Sequence, residues 1–170
     1  MTGRLKTLAA TIGVAAALVA TIVLEPLPLY IWNASASVPI GLYRLLPTMR
    51  FHVNELVAVH PPEPLATFLD LNGYLPIGLP MLKRVLALPG QTVCRNGLTI
   101  SVDTVAVGEA RDRDGRGRPL PKWQGCRVVC DGELFLMNWQ SDDSLDGRYF
   151  GLLPASSVIG SAIPVWTWKE

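Results

Sequence analysis

The chain has 170 residues and a formal net charge of +1, with 49% hydrophobic residues and a mean hydropathy of +0.30. Near-neutrality excludes a polyelectrolyte partner such as nucleic acid. Two histidines and three separated cysteines give no zinc-type ligand set, so no metal and no other cofactor is expected.

The length suits one domain with a real core plus a membrane segment. Between Lys6 and Glu25 lie 18 uncharged residues, Thr7 to Leu24, mostly Ala, Val, Leu and Ile from Leu8 onward. About 17–25 such residues span a bilayer as a helix. Arg4 and Lys6 before the run, against only Glu25 after it, predict an N-terminus in the cytoplasm and a body on the periplasmic side of the inner membrane. A removed signal peptide is the competing reading, because Ala34-Ser35-Ala36 resembles a small-residue cleavage site. The run is longer than a usual signal core, and Pro26, Pro28, Tyr30 and Trp32 form an interfacial belt behind it. Together these favour a retained single-pass anchor over residues 1–32 and a β-rich domain over 33–170.

Next comes Ser35-Ala36-Ser37-Val38-Pro39-Ile40-Gly41-Leu42-Tyr43. Two serines two apart, then proline and glycine, describe a tight turn presenting hydroxyls: Pro39 fixes its own φ and Gly41 allows backbone closed to other residues. A serine needs a base before it becomes a nucleophile. Leu42 to Leu46 reads as a strand closed by Pro47. Phe51 to His60 alternates like a second strand, centred on Glu55-Leu56-Val57-Ala58-Val59. The apolar residues around the turn (Ile40, Leu42, Leu46, Met49, Phe51) are either core or a surface dipping into lipid.

After Pro61-Pro62-Glu63-Pro64, Leu65 to Leu71 predicts a turn or two of helix. Met81 to Leu88 predicts a strand bounded by Pro80 and Pro89-Gly90. Period two puts Met81, Lys83, Val85 and Ala87 on one face and Arg84 on the other. A lysine between Met and Val is desolvated, which lowers its pKa and suits it to act as a general base; the bland alternative is a lysine snorkelling from a sheet edge. Cys94 to Val102 reads as a turn and a strand, and Asp112 to Arg118 as a solvated, glycine-rich hairpin tip. Cys126 and Cys130 bracket a further strand, about 13 Å apart if extended, beyond the ~7 Å limit for a disulfide. Cys94 is therefore a partner in any disulfide; of its two possible pairings Cys94–Cys126 is favoured, with Cys130 left as a buried thiol. Leu134 to Asn138 is a strand running into a polar stretch, Trp139 to Gly151, which lacks the terminal glutamate of a calcium loop. Val158 to Trp168 closes the chain as a strand with Trp166 and Trp168 on one face.

Taken in order, the anchor, the Ser35-x-Ser37-x-Pro39 turn, the Leu82-Lys83-Arg84-Val85-x-x-Leu88-Pro89-Gly90 strand and the box Asn138 to Gly151 resemble the type I signal peptidase family of membrane-anchored Ser/Lys proteases. The resemblance implies a mainly β fold: an antiparallel β-sheet or barrel domain behind an N-terminal transmembrane helix. It implies that Ser37 is the nucleophile, Lys83 the general base, and Ser35 an oxyanion-hole hydroxyl beside the Ser37 backbone N–H. Ser144 would orient the lysine, with Asp146 and Arg148 as a charged pair framing the site. Pro39 to Tyr43, Gly73-Tyr74-Leu75-Pro76 and Ser144 to Gly151 look like the conjugative-transfer, TraF-type branch. That branch matures an exported pilin precursor, in some members with cyclisation involving an aspartate of the last box, which is Asp146 here. The chain departs from the family at Gln91, where Asp often stands, and at Asn138-Trp139-Gln140, where Gly-Asp-Asn is usual. The expected partners are a pilin-like precursor, the lipid bilayer and the conjugative transfer apparatus. A general signal peptidase is the first alternative, and a non-catalytic periplasmic scaffold the second.

Overall fold

In the computed structural model, residues 3–24 and 28–168 are described. Glu25 and Pro26, which entered the charge and belt readings above, lie outside them. The uncharged run forms helix α1 (Gly3–Leu24), 22 residues or about 33 Å long. None of Gly3–Ala20 is buried against the rest of the chain. An exposed apolar surface of this length is stable in lipid rather than in water.

The body comprises β1 (Tyr30–Asn33), β2 (Gly41–Leu46), β3 (Leu56–Val59), helix α2 (Leu65–Leu71), β4 (Met81–Ala87), β5 (Thr92–Asn96), β6 (Thr99–Val102), β7 (Val105–Glu109), β8 (Gly125–Val128), β9 (Glu133–Leu136), helix α3 (Gly147–Phe150), β10 (Leu152–Pro154) and β11 (Val158–Thr167). The strands form a seven-stranded sheet, ordered β1-β2-β11-β3-β4-β9-β10, and a four-stranded sheet, β7-β6-β5-β8. All the pairings are antiparallel, so the domain is mainly β.

Strand β3 lies between β11 and β4, and all four of its residues are buried. Its alternate side chains fill two separate cores. Leu56 and Ala58 join Tyr43, Leu45 and Leu82 on one face, while Val57 and Val59 join Met81, Val85 and Leu136 on the other. The same alternation along β4 puts Lys83 between Met81 and Val85, and it is buried. A register shift between Val85 and Ala87 then turns Ala87 into a third core with Val93, Ile100 and Phe135.

Several expectations need correction. The second strand is limited to Leu56–Val59, because Asn54 takes a left-handed φ of 70° and the Glu55 N–H turns back to the His52 carbonyl. Tyr30–Asn33 is a strand on β2 as well as an aromatic belt. Ile40, Leu42, Leu46 and Phe51 are half-buried, and of that group only Met49 stands in solvent. The larger exposed apolar surface is elsewhere, where Trp32 packs 5.9 Å from Trp166 and 5.7 Å from Trp168. Cys94 and Cys126 face each other across β5 and β8 and are joined by a disulfide, but Cys130 is an exposed thiol. It falls beyond the end of β8, where the chain leaves the small sheet. The Asp112–Arg118 tip is not freely solvated: Asp114 accepts a 2.7 Å hydrogen bond from the Tyr74 hydroxyl.

Gly41 pairs with Thr167 just beyond a register shift between Pro164 and Trp166. That shift brings the Trp166 carbonyl oxygen to 2.1 Å from where a Cβ on residue 41 would stand. Gly41→Ala is expected to lower stability by roughly 2–3 kcal/mol through forced separation of β2 and β11. Urea unfolding measures this, and a loss below ~0.5 kcal/mol would show that the two strands separate freely.

Candidate active site

The serine turn leaves the end of β1, and a residue that sequence reasoning passed over holds it. The Asn33 side-chain amide donates to three carbonyls, those of Ser35 (2.7 Å), Val38 (3.0 Å) and Pro39 (3.1 Å). Its Oδ1 accepts from the Ser35 N–H at 3.2 Å. The Tyr43 hydroxyl adds a 2.6 Å bond to the Pro39 carbonyl, and the Trp168 N–H bonds the Ile40 carbonyl at 2.9 Å. A turn this short cannot satisfy its own carbonyls, and Asn33 supplies the missing donors. Only the Asn–x–Ser spacing hinted at this. Within the turn, Ser35 Oγ and Ser37 Oγ are 2.9 Å apart, and the Ser37 N–H points at Ser35 Oγ at 3.3 Å.

Ser35, Ser37, Lys83 and Ser144 line one cleft of about 500 Å³. Lys83 is 5% exposed, and its Nζ donates to Ser144 Oγ at 2.8 Å. Burial pushes the Lys83 pKa down to about 8; the Asp146 charge acts to raise it and the Arg148 charge to lower it. Because Asp146 and Arg148 oppose one another, desolvation dominates.

Ser144 is held from behind. Its carbonyl and that of Ser141 accept from Arg148 Nη2 at 3.1 and 2.6 Å. Arg148 also grips Asp146 in a two-pronged pair, Nε to Oδ1 at 2.9 Å and Nη2 to Oδ2 at 3.0 Å, with side chains 1% and 0% exposed. Asp146 Oδ2 also takes the Asn138 N–H. The pair therefore lies beneath the cleft rather than in it. The aspartate on the cleft wall is Asp143. This position is at odds with a reacting role for Asp146 in cyclisation.

Asn138, which the sequence marked only as a departure from the family pattern, is a second residue that holds the site. Its side chain bonds the Arg84 N–H and the Leu82 carbonyl at 3.0 Å each, bracketing Lys83 where the ladder from β9 ends. The short helix α3 packs so closely on β9 that a Cβ at Gly147 would meet the Phe135 ring at 2.5 Å. The small sheet and the loop leading into β8 buttress it: Arg95 Nη1 donates to the Arg148 carbonyl at 2.6 Å and Trp123 Nε1 to the Gly147 carbonyl at 3.0 Å. Among the described residues there is no cluster of three or more His, Cys, Asp or Glu able to hold a metal ion.

Similar proteins can be named from sequence. The sequence pattern of the family described as signal peptidase, peptidase S26, matches residues 2–168. A conjugal transfer protein TraF from Agrobacterium fabrum is 38% identical over 146 residues, covering 80% of this chain and 81% of its own. A plasmid transfer protein TraF from Escherichia coli is 33% identical over 147 residues, covering 80% and 82%. A probable signal peptidase I-1 from Synechocystis is 33% identical over 122 residues, covering 69% and 58%. With the match running from the apolar helix to the last strand, the chain belongs to the signal peptidase (peptidase S26) family.

Proposed function

We propose that this protein is a membrane-anchored serine endopeptidase in which Ser37 attacks and Lys83 is the general base, and that it matures an exported precursor of the conjugative-pilin class. The observation that carries the reading is Lys83: a buried amine on the cleft that contains Ser37, tethered by one neutral hydroxyl and with its pKa pushed down to about 8. A scaffold would have no use for an amine desolvated in this way. The relatives named for conjugal and plasmid transfer support the precursor class. The Synechocystis relative supports the broader alternative, removal of leader peptides by the same chemistry.

In this mechanism neutral Lys83 takes the Ser37 proton as Oγ attacks the scissile carbonyl, and returns it to the leaving amine. Water, or an amine in a cyclising reaction, then resolves the acyl-enzyme. The Ser35 hydroxyl and the Ser37 N–H already touch each other on one side of the nucleophile. A small rotation of Ser35 about χ1 would free both to donate to an oxyanion. Ser144 keeps the amine pointed into the cleft. Helix α1 anchors the enzyme in the inner membrane with its N-terminus in the cytoplasm and the body in the periplasm. The exposed Trp32, Trp166 and Trp168 rings suit the lipid–water boundary.

The pH dependence tests the base. Lys83 works only when neutral, and its neutral fraction grows as pH rises towards its pKa of about 8. For full-length enzyme in detergent micelles, kcat/KM on a pilin precursor should rise about tenfold per pH unit below pH 7 and level off above about 8.5. A profile flat from pH 6 to 9 would remove Lys83 from the role.

A further inference from the structure

A second cavity, of about 340 Å³, adjoins the Ser37 cleft, sharing Tyr74, Asp143 and Leu145 as walls. Four arginines line it: Arg111, Arg113, Arg116 and Arg118. Its own carboxylates are largely occupied. Arg111 pairs with Asp143 and, at 3.6 Å, with Asp142. Asp114 accepts from the Tyr74 hydroxyl (2.7 Å), the Arg118 guanidinium (2.7 Å at Nε) and the N–H groups of Arg116 and Arg118 (2.9 and 2.8 Å). These bonds, the Tyr74 hydroxyl first, hold the Asp114 carboxyl well below the usual carboxylate range. They also fix the loop, and Arg118 lies 4.2 Å over the Tyr74 ring.

Two cations make no ion pair within 4 Å among the described residues, although Arg113 is close enough to Asp112 to help lower its pKa. Arg113 donates to the carbonyl of Gly117 in its own loop, and the Arg116 side chain has no ion pair. A hydrogen-bonded hairpin thus presents two arginines to a space that shares walls with the Ser37 cleft, and arginine is the side chain best matched to a carboxylate.

We infer that this cavity is a specificity subsite for a carboxylate carried by the substrate near its scissile bond, either an acidic side chain or the chain terminus, recognised by Arg113 and Arg116. The inference rests on the peptidase reading and narrows its substrate class. A peptide is favoured over an anionic lipid headgroup because Tyr74, Asp143 and Leu145 belong to both cavities, so a chain lying in the cleft passes the arginines.

The test uses the full chain carrying Ser37→Ala, in zwitterionic micelles, binding labelled peptides with small residues around one cleavage site. One pair of peptides differs as glutamate against glutamine in the flanking segment, the other as C-terminal acid against amide. At least one acidic member should bind about tenfold more tightly than its neutral partner at low salt, and which pair responds identifies the source of the carboxylate. Adding Arg113→Gln and Arg116→Gln should erase that preference while leaving the neutral peptides unchanged, and high salt should shrink it. Equal binding within both pairs, a preference that survives the double substitution, or an arginine-dependent preference only for phosphatidylglycerol vesicles would each overturn the subsite. Cleavage by the unsubstituted enzyme is scored separately. Cleavage without an acid preference leaves the peptidase standing and the subsite refuted; acid-dependent binding without cleavage does the reverse.

Discussion

Ser37→Ala will lower kcat/KM for precursor cleavage by about 10⁴-fold, equivalent to roughly 5.5 kcal/mol of transition-state stabilisation. Lys83→Met will lower it by a similar factor, because a methionine fills the lysine's volume and carries no proton acceptor. If the two side chains act as one unit, the double variant will be no worse than either single variant. Stability separates the two cases. Ser37 is only half-buried, so losing its hydroxyl should change unfolding by less than ~0.5 kcal/mol. Lys83 is an amine on an apolar strand face, and Met in its place should hold or raise the melting temperature. Precursor cleavage followed on gels, alongside thermal unfolding, measures both. A Lys83→Met enzyme within tenfold of the parent would refute the dyad.

The second large effect concerns the ion pair beneath the site. Arg148→Met leaves Asp146 charged in a place with no solvent exposure, and takes the donor away from the carbonyls of Ser141 and Ser144. Removing one partner of a buried pair costs about 3–5 kcal/mol. Much of the domain's stability would go, given typical totals of about 5–15 kcal/mol. Replacing both partners, Asp146→Leu with Arg148→Met, should recover part of the loss, since no buried charge is then stranded. Any Arg148→Met protein that stays folded should show its activity profile displaced to higher pH: Asp146, no longer opposed, favours the charged form of Lys83. Urea unfolding at neutral pH provides the measurement. A loss below 1 kcal/mol would mean that the pair is solvated in solution.

What could be read from the sequence follows from how local the physics is. The uncharged run needs no partner to declare itself, and it forms α1. The alternation from Met81 to Val85 is local too, and it puts Lys83 inside. The four side chains singled out from three separate boxes, Ser35, Ser37, Lys83 and Ser144, line one cleft. Less legible were features set by distant partners. Strand β1 is four residues after a proline, and it is a strand because β2 pairs with it. Asn138 carries only a turn preference by itself; its importance comes from bonds to β4, 54 and 56 positions away. The hairpin tip looked solvated because charged and glycine-rich residues usually are, and the contact with Tyr74, 40 positions back, was invisible. Cys130 follows Val128 and Val129 in sequence, but only Val129 is buried; Val128 is exposed, and Cys130 is exposed with it.

Strand β1 also sets a height. Five residues separate Leu24, the last of α1, from Tyr30, a tether of at most about 20 Å, and the serine turn follows β1 directly. With α1 in a bilayer, Ser37 is leashed close above the lipid surface and cannot reach bonds deep in the aqueous space. Under the proposed peptidase function, the molecule would then act as a ruler, cutting an exported precursor at a short distance from the lipid surface. Lengthening the tether with inserted residues should move the cut outward rather than abolish it.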